Sequence, residues 1–537
     1  MRLLLSRGRR LVTTDSKEPR TRHPYAPDAS FDGGDLDCGS GLLLLIRKHI
    51  DPLAPGQLLE IRSTELSVRE DLPAWCRLTR NELVSEIRDG RLGSYLVSKG
   101  PFTPRASIAR EPDADAANQE SRIRTPAPVT QAIKAVTIPA TLPEPAAVPA
   151  IRPLSVIGIG SWPRPRWMLQ ALHDYHEGRL SEEAFQETAN DAVLLAIDAQ
   201  LRAGVDVITD GEQRRDSYAS FVGGILDNCQ LIPVTDLLPY VDHPDEFEEQ
   251  LRALDVPAGK VLHPAVFGPL GRSRPLAVHE LEFARGISSL PVKVALPGPY
   301  LLTRTMWMEC ISDRAYARRE DLAEDIVRVL REELHYLLAA GAAIVQFDEP
   351  VLTEVVFGKP PGQRTFMCGA LGARMDTAAE LAFAEALINR VVDGLPRDRI
   401  ALHICRGNWS PDERVALAGD YRPLIPLLSR VKVGTLFLEL STPRAGEASV
   451  LRDLPADRRI GVGVVNQKSA RVETVEEIVA ATERAIAIFG AERLLLTPDC
   501  GFATFADNPI ASSDIAEKKL AAIVQAAHVL RRKYNLD

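Results

Sequence analysis

The sequence predicts an α/β protein: a (β/α)8 TIM barrel over residues 154–537, preceded by a small two-layer α/β sandwich and a Pro/Ala-rich linker. Three observations carry this. A unit of helical pattern, glycine and short apolar strand keeps returning after residue 154 and supplies eight strands. A stretch crowded with Pro and Ala, from Pro101 to Pro153, divides the chain in two. The first strand runs into GIGSWPRP and carries no GxGxxG, which sets the rival doubly wound sheet behind the barrel.

The N-terminal 30 residues are basic and turn-rich. Their apolar run, Leu3 to Leu5, is far shorter than the core of a secretory signal, so a disordered leader is expected. Residues 31–98 alternate helix and strand. Leu42 to Ile46 with Arg47 and Lys48 reads as a helix entered through a Gly-rich turn, LLEIRST (58–64) as a strand, and DLPAWCRL as a helix opening at about Pro73. Residues 99–153 form the linker, semi-extended through its prolines. In the large module the strands are 154–160, 206–210, 292–298, 343–349, 399–405, 434–440, 459–465 and 493–499. The helix before the fourth, Asp321 to Ala340, stacks Leu322, Ile326, Leu330, Leu334 and Leu337 on one face, and Gly341 ends it.

The 537 residues carry 64 Lys and Arg against 73 Asp and Glu, a net charge of −9 that argues against nucleic acid as the partner. No run of 18 apolar residues offers a membrane span. Seven scattered cysteines fit a reducing cytoplasm, where cysteine serves metal binding or catalysis more often than disulfides.

Barrel enzymes build their sites where the strands end. There the sequence offers His403-Ile404-Cys405, Glu439 and Asp499-Cys500. Strand side chains alternate, so His403 and Cys405 share a side, and a cysteine from another strand top can join them. Imidazole with two thiolates suits zinc, a carboxylate or an open position completing the set. The plainer alternative is a small buried apolar residue at each cysteine, the reading given to Cys229, Cys310 and Cys368.

The segments around these positions are GSWPRP (160–165), ITDGEQRR (208–215), VQFDEP (345–350), HICRGN (403–408), FLELSTPRAG (437–446) and TPDCGF (497–502). Together they resemble the catalytic domain of cobalamin-independent methionine synthase and its shorter single-barrel relatives, over about 154–537. The resemblance implies a zinc-dependent enzyme that moves a methyl group to a thiol, most simply homocysteine to give methionine. It assigns zinc to His403, Cys405, Glu439 and Cys500. It assigns the amino group of homocysteine to Glu212 and Asp348, and its carboxylate to backbone at Ile159 and Ser161. Read from the residues alone, Asp348 also fits a helix N-cap, and Glu212 a surface ion pair with Arg214 or Arg215.

Departures from the family bear on the methyl donor. The chain has no room for the second, N-terminal barrel that helps bind methylfolate in full-length members. Trp307 aligns only loosely with a family aromatic near the folate. The family's proton-donating histidine corresponds to Lys468, which suits steadying an anion better than donating a proton. Methylfolate and a methyl-corrinoid protein both stand as donors. An alternative is another thiol or electrophile, such as an epoxide or a methylated sulfur compound. The 31–98 module resembles the TusA-like sulfurtransferases, which carry a persulfide on a cysteine at a helix N-terminus. Cys38 matches that position, with Cys-Gly-Ser-Gly where the family has Cys-Pro-x-Pro, and Cys76 is a second candidate. A sulfur-relay protein is the partner this implies, and a sulfur-carrier or thiol-binding protein is the competing reading for the whole chain.

Overall fold

The computed structural model describes residues 23–34, 42–65, 68–89, 92–103, 141–233, 262–307, 312, 315–358, 376–408, 413, 416–507 and 509–536. The chain divides into two compact units, Met1–Gln131 and Ala132–Asp537.

The first unit carries β1 (Ala29–Asp32), a helix Leu43–Ile50, β2 (Leu58–Ser63), a helix Val68–Leu78, β3 (Glu82–Asp89) and β4 (Leu92–Ser98). Its sheet runs β1-β2-β4-β3, with β1 parallel to β2 and the other pairs antiparallel. Leu42, Ile46 and Ile50 fall four residues apart and are all buried. The second helix starts five residues before Pro73, which lies inside it rather than opening it. Val68, Leu72, Trp75 and Cys76 make one buried face at helical spacing, and that face outweighs the single N–H a proline lacks. Burial pushes the Cys76 thiol up to about 12, which leaves it an inert packing residue. Cys38 lies outside the described residues, as do Cys310 and Cys368.

In the second unit the strands are β5 (Ser155–Val156), β6 (Asp227–Pro233), β7 (Leu262–Gly271), β8 (Lys293–Pro297) and β9 (Ile344–Asp348). They continue with β10 (Ile400–Ile404), β11 (Thr435–Leu438), β12 (Arg459–Val465) and β13 (Leu494–Pro498). Seven form a curled parallel sheet in the order β5-β13-β12-β11-β10-β9-β8. The remaining expected strand, 206–210, makes only single parallel bridges, Ile157 to Val207 and Ile208 to Val292, and these join the two edges of that sheet. All eight segments expected to be strands therefore stand in one TIM-like ring. The hairpin of β6 and β7 is an addition that the sequence reading did not contain.

Helices cover the ring as the periodicity predicts. Leu322, Ile326, Leu330, Leu334 and Leu337 of the helix Arg319–Ala339 are all buried, and Gly341 follows at φ +90°. Inside the ring Ile157, Ile159, Val207, Ile344, Ala401, Phe437 and Leu495 make a second apolar cluster, with Ile151 packed against it. Residues 141–153, the last part of the Pro/Ala-rich stretch, are hydrogen-bonded to the barrel. Arg399 donates to the Ala146 carbonyl (2.6 Å), and Arg459 to those of Ile151 (3.0 Å) and Arg152 (2.9 Å). Among the described residues no helix is long and apolar enough to cross a membrane.

Candidate active site

The loops after the first two strand positions are built around Glu212. The chain turns there through two left-handed residues, Gly211 at φ +73° and Glu212 at φ +54°. A non-glycine residue in that region is strained and must be held. Arg164, 7% exposed, holds it: Nη2 donates to the carbonyls of Glu212 and Arg215 (2.6 Å), and Nη1 to that of Ala503 (3.3 Å). The Glu212 amide donates to Asp210 Oδ1 at 3.0 Å. A Cβ on Gly160 would lie 2.0 Å from Glu212 Oε1, so the carboxyl rests directly on that glycine. Glu212 is 3% exposed, and its Oε2 has no hydrogen-bond partner among the described residues. Burial pushes its carboxyl up to about 7, with Arg215 opposing and Asp348 and Asp210 adding to the rise. The alternative of a surface ion pair is excluded, since Arg215 is paired with Glu280 at 2.6 Å and Arg214 bonds Gln186 and Asn190.

On the opposite side, the tops of β10, β11 and β13 bring Cys405, Glu439 and Cys500 together. One ligand atom from each lies within 4.8 Å of the others, and all three residues are buried. The two sulfurs are in hydrogen-bond contact; the Cys500 thiol together with the nearby His403 lowers Cys405 to about 6 against the cost of burial, while Cys500 is driven up. Glu439 accepts from the Arg406 amide (3.1 Å) and faces Arg444 (3.4 Å), and burial raises its carboxyl well above the usual range.

His403 stands outside that three-atom group. Its Nδ1 meets Asp348 Oδ1 at 2.7 Å, and its Nε2 is buried with no partner among the described residues. Asp348 accordingly bonds a ring nitrogen across the sheet and not a helix end. Two soft sulfurs, a carboxylate and an imidazole nitrogen still lacking a partner, backed by a carboxylate on the other ring nitrogen, are the donor set zinc takes. The residues fit the metal on that chemistry.

Between these two halves lies a small pocket that opens to solvent. Ile159, Ser161, Glu212, Asp348, His403, Cys405 and Cys500 all line it. Ser161 Oγ lies against Gly501, where a Cβ would come within 2.2 Å, and accepts from the Ala503 amide (3.3 Å). Lys468 does not line the cavity. It is buried on the Glu439 side, where burial and Arg444 bring its ammonium down to about 8 while Glu439, Cys500 and Cys405 oppose the fall. Trp307 is not brought to the cavity either; it is half-buried against the core. The aromatic walls are instead Tyr218 and Phe505, edge to face at 6.4 Å between ring centroids, and Asn408 joins them. Tyr218 and Phe505 each follow a quoted motif by three residues, but nothing in their spacing separates them from core aromatics.

A family model described as the cobalamin-independent synthase catalytic domain matches residues 154–234 and 258–528. The methionine synthase of Saccharolobus solfataricus is 26% identical over 376 residues, which cover 70% of this chain and 94% of that protein. The methionine synthase of Sulfolobus acidocaldarius is also 26% identical, over 70% of this chain and 91% of its own. Among solved structures, a B12-independent methionine synthase from Shewanella sp. W3-18-1, in complex with selenomethionine, superposes with a TM-score of 0.53 at 23% identity. That match spans 71% of this chain and 99% of the Shewanella chain, and it shows the shared fold. The matched family model spans well over half of the chain, with the site's residues inside it: this chain belongs to the family of cobalamin-independent synthase catalytic domains.

Proposed function

We propose that this protein transfers a methyl group to the thiol of homocysteine, giving methionine, with zinc held by His403, Cys405, Glu439 and Cys500. One observation carries the reading: two thiols and a carboxylate converge beside an imidazole nitrogen that lacks a partner, at the strand ends of a chain in this family. The relatives named above as methionine synthases support the same substrate.

The chemistry a bound zinc supplies is a thiolate at neutral pH, which a free thiol of pKa about 8.5 is not. The protein's own groups do the rest. Glu212 and Asp348 receive the ammonium of the amino acid, and an arriving cation draws Glu212 into its charged form. Backbone at Ile159 and Ser161 meets the carboxylate. Tyr218 and Phe505 wall the cavity with apolar surface that keeps water from the reacting sulfur. Lys468, facing Glu439 and the two sulfurs, offsets negative charge there. The methyl donor is methylfolate or a methyl-corrinoid protein. In the first unit, the helix Leu43–Ile50 follows the position of Cys38, and that order supports a TusA-like sulfur carrier serving a sulfur-relay partner.

The test is mass-spectrometric detection of methionine made from homocysteine by zinc-loaded protein, with labelled methylcobalamin and methyltetrahydrofolate supplied in parallel. Labelled methionine is expected, and its label names the donor. Zinc bound firmly with no methionine from either donor would overturn homocysteine methylation and leave another thiol or electrophile.

A further inference from the structure

One polar file in the barrel interior takes no part in the assignments above. Lys293 on β8 and Gln346 on β9 are 1% and 0% exposed. Lys293 Nζ donates to the carbonyl of Ile159 and to Oε1 of Gln346 (2.5 Å). Gln346 Nε2 donates to Asp348 Oδ1 at 2.7 Å, and the same oxygen takes the 2.7 Å bond from His403 Nδ1.

The direction of every bond is fixed by what each group can do. A lysine head only donates, so the amide of Gln346 must turn its oxygen to Lys293 and its nitrogen to Asp348. A carboxylate only accepts, so His403 must carry its hydrogen on Nδ1, which leaves the lone pair on Nε2. Burying Lys293 and Gln346 is costly, and two apolar residues would fill the same space at less expense. The file also begins and ends at residues assigned to the site: Ile159 at the amino-acid end and His403 at the metal end.

We infer that Lys293 and Gln346 are positioning residues that tie the two ends of the site together. Lys293 anchors the Ile159 backbone at the amino-acid end by engaging its carbonyl, and through Gln346 and Asp348 it fixes the His403 tautomer that presents Nε2 to the metal. The inference rests on the methyl-transfer reading for the identity of both ligands.

The experiment compares the full-length parent with Lys293→Met and Gln346→Met, unbranched replacements of similar volume. Zinc affinity is read by competition with a chromogenic chelator, homocysteine KM by turnover, and fold by the thermal midpoint of the metal-free protein. Loss of such an outer partner weakens metal binding by about 10- to 100-fold. Gln346→Met is expected to lose at least about tenfold in zinc affinity, at the low end of that range, with an unchanged metal-free midpoint. Lys293→Met is expected to lose zinc affinity similarly and to raise the homocysteine KM as well. If Lys293→Met does not fold, Gln346→Met decides alone. Parental zinc affinity in the folded variants would overturn the coupling and leave the methyl-transfer reading intact. A parent that takes up no zinc would overturn both.

Discussion

Glu212 meets opposite demands from folding and from binding. Its raised carboxyl means that the folded state holds a proton the unfolded state releases near pH 4.5. The stability this contributes is present at low pH and is lost as pH rises from about 4.5 to about 7. Glu212→Gln is therefore expected to stabilise the protein above pH 7, by up to about 3 kcal/mol, read from chemical denaturation at pH 8. Function runs the other way, because pairing with an ammonium needs the charged form. The kcat/KM for homocysteine should fall below pH 7, by about tenfold per unit. In Glu212→Gln that limb should flatten and the plateau should drop about 10- to 100-fold, the worth of a hydrogen bond to a charged group. Gly160→Ala is the companion test. Its φ is not left-handed and the crowded atom is the end of a flexible side chain, so the fold should persist. The added methyl displaces the Glu212 carboxyl, and homocysteine KM should rise with little change in the unfolding midpoint.

Loops and strands show why some parts were legible in sequence and others were not. His403, Cys405, Glu439 and Cys500 could be read because alternation and strand ends fix where a residue points once the strand is found. Lys293 could not: within VKVALPG the alternation gives no reason to place a lysine inside an apolar barrel, and only its partners across the sheet make sense of it. The β6–β7 hairpin was missed because LHPAVFGPLG and DNCQLIP break their pattern with proline and glycine, which usually argue against a strand. β1 is four residues, ASFD, with one buried side chain that announces nothing. Tyr218 and Phe505 take their roles from an antiparallel bridge between Ser217 and Phe505, a contact between loops far apart in sequence. Arg164 works at the same scale. It ties two loops by three carbonyls, and Arg164→Ala would strand those acceptors at about 1–3 kcal/mol each. Thermal unfolding should show the loss, and Arg164→Lys should recover only part of it, since one ammonium cannot reproduce a planar fork.

Taken whole, the barrel is continuous with the end of the Pro-rich stretch. Arg399 is buried and Arg459 half-buried, both find acceptors in 141–153, and Ile151 packs against the cluster inside the ring. A chain beginning at residue 141 should unfold at the temperature of the barrel in the full-length protein. One beginning at 154 should unfold several degrees lower, having lost those acceptors and that apolar cover. Scanning calorimetry of the two chains would decide it, and equal midpoints would show that 141–153 contributes nothing to stability.

The touching sulfurs of Cys405 and Cys500 come from β10 and β13, strands that are not neighbours in the ring. With metal in place both electron pairs are engaged. Once it is stripped, an oxidant such as hydrogen peroxide can draw two electrons from the pair, leaving a disulfide and water. Such a bond would staple the mouth of the barrel and consume two metal donors at once. The metal-free protein is thus the oxidation-sensitive form, and activity lost on standing should return with a dithiol and zinc together, not with zinc alone.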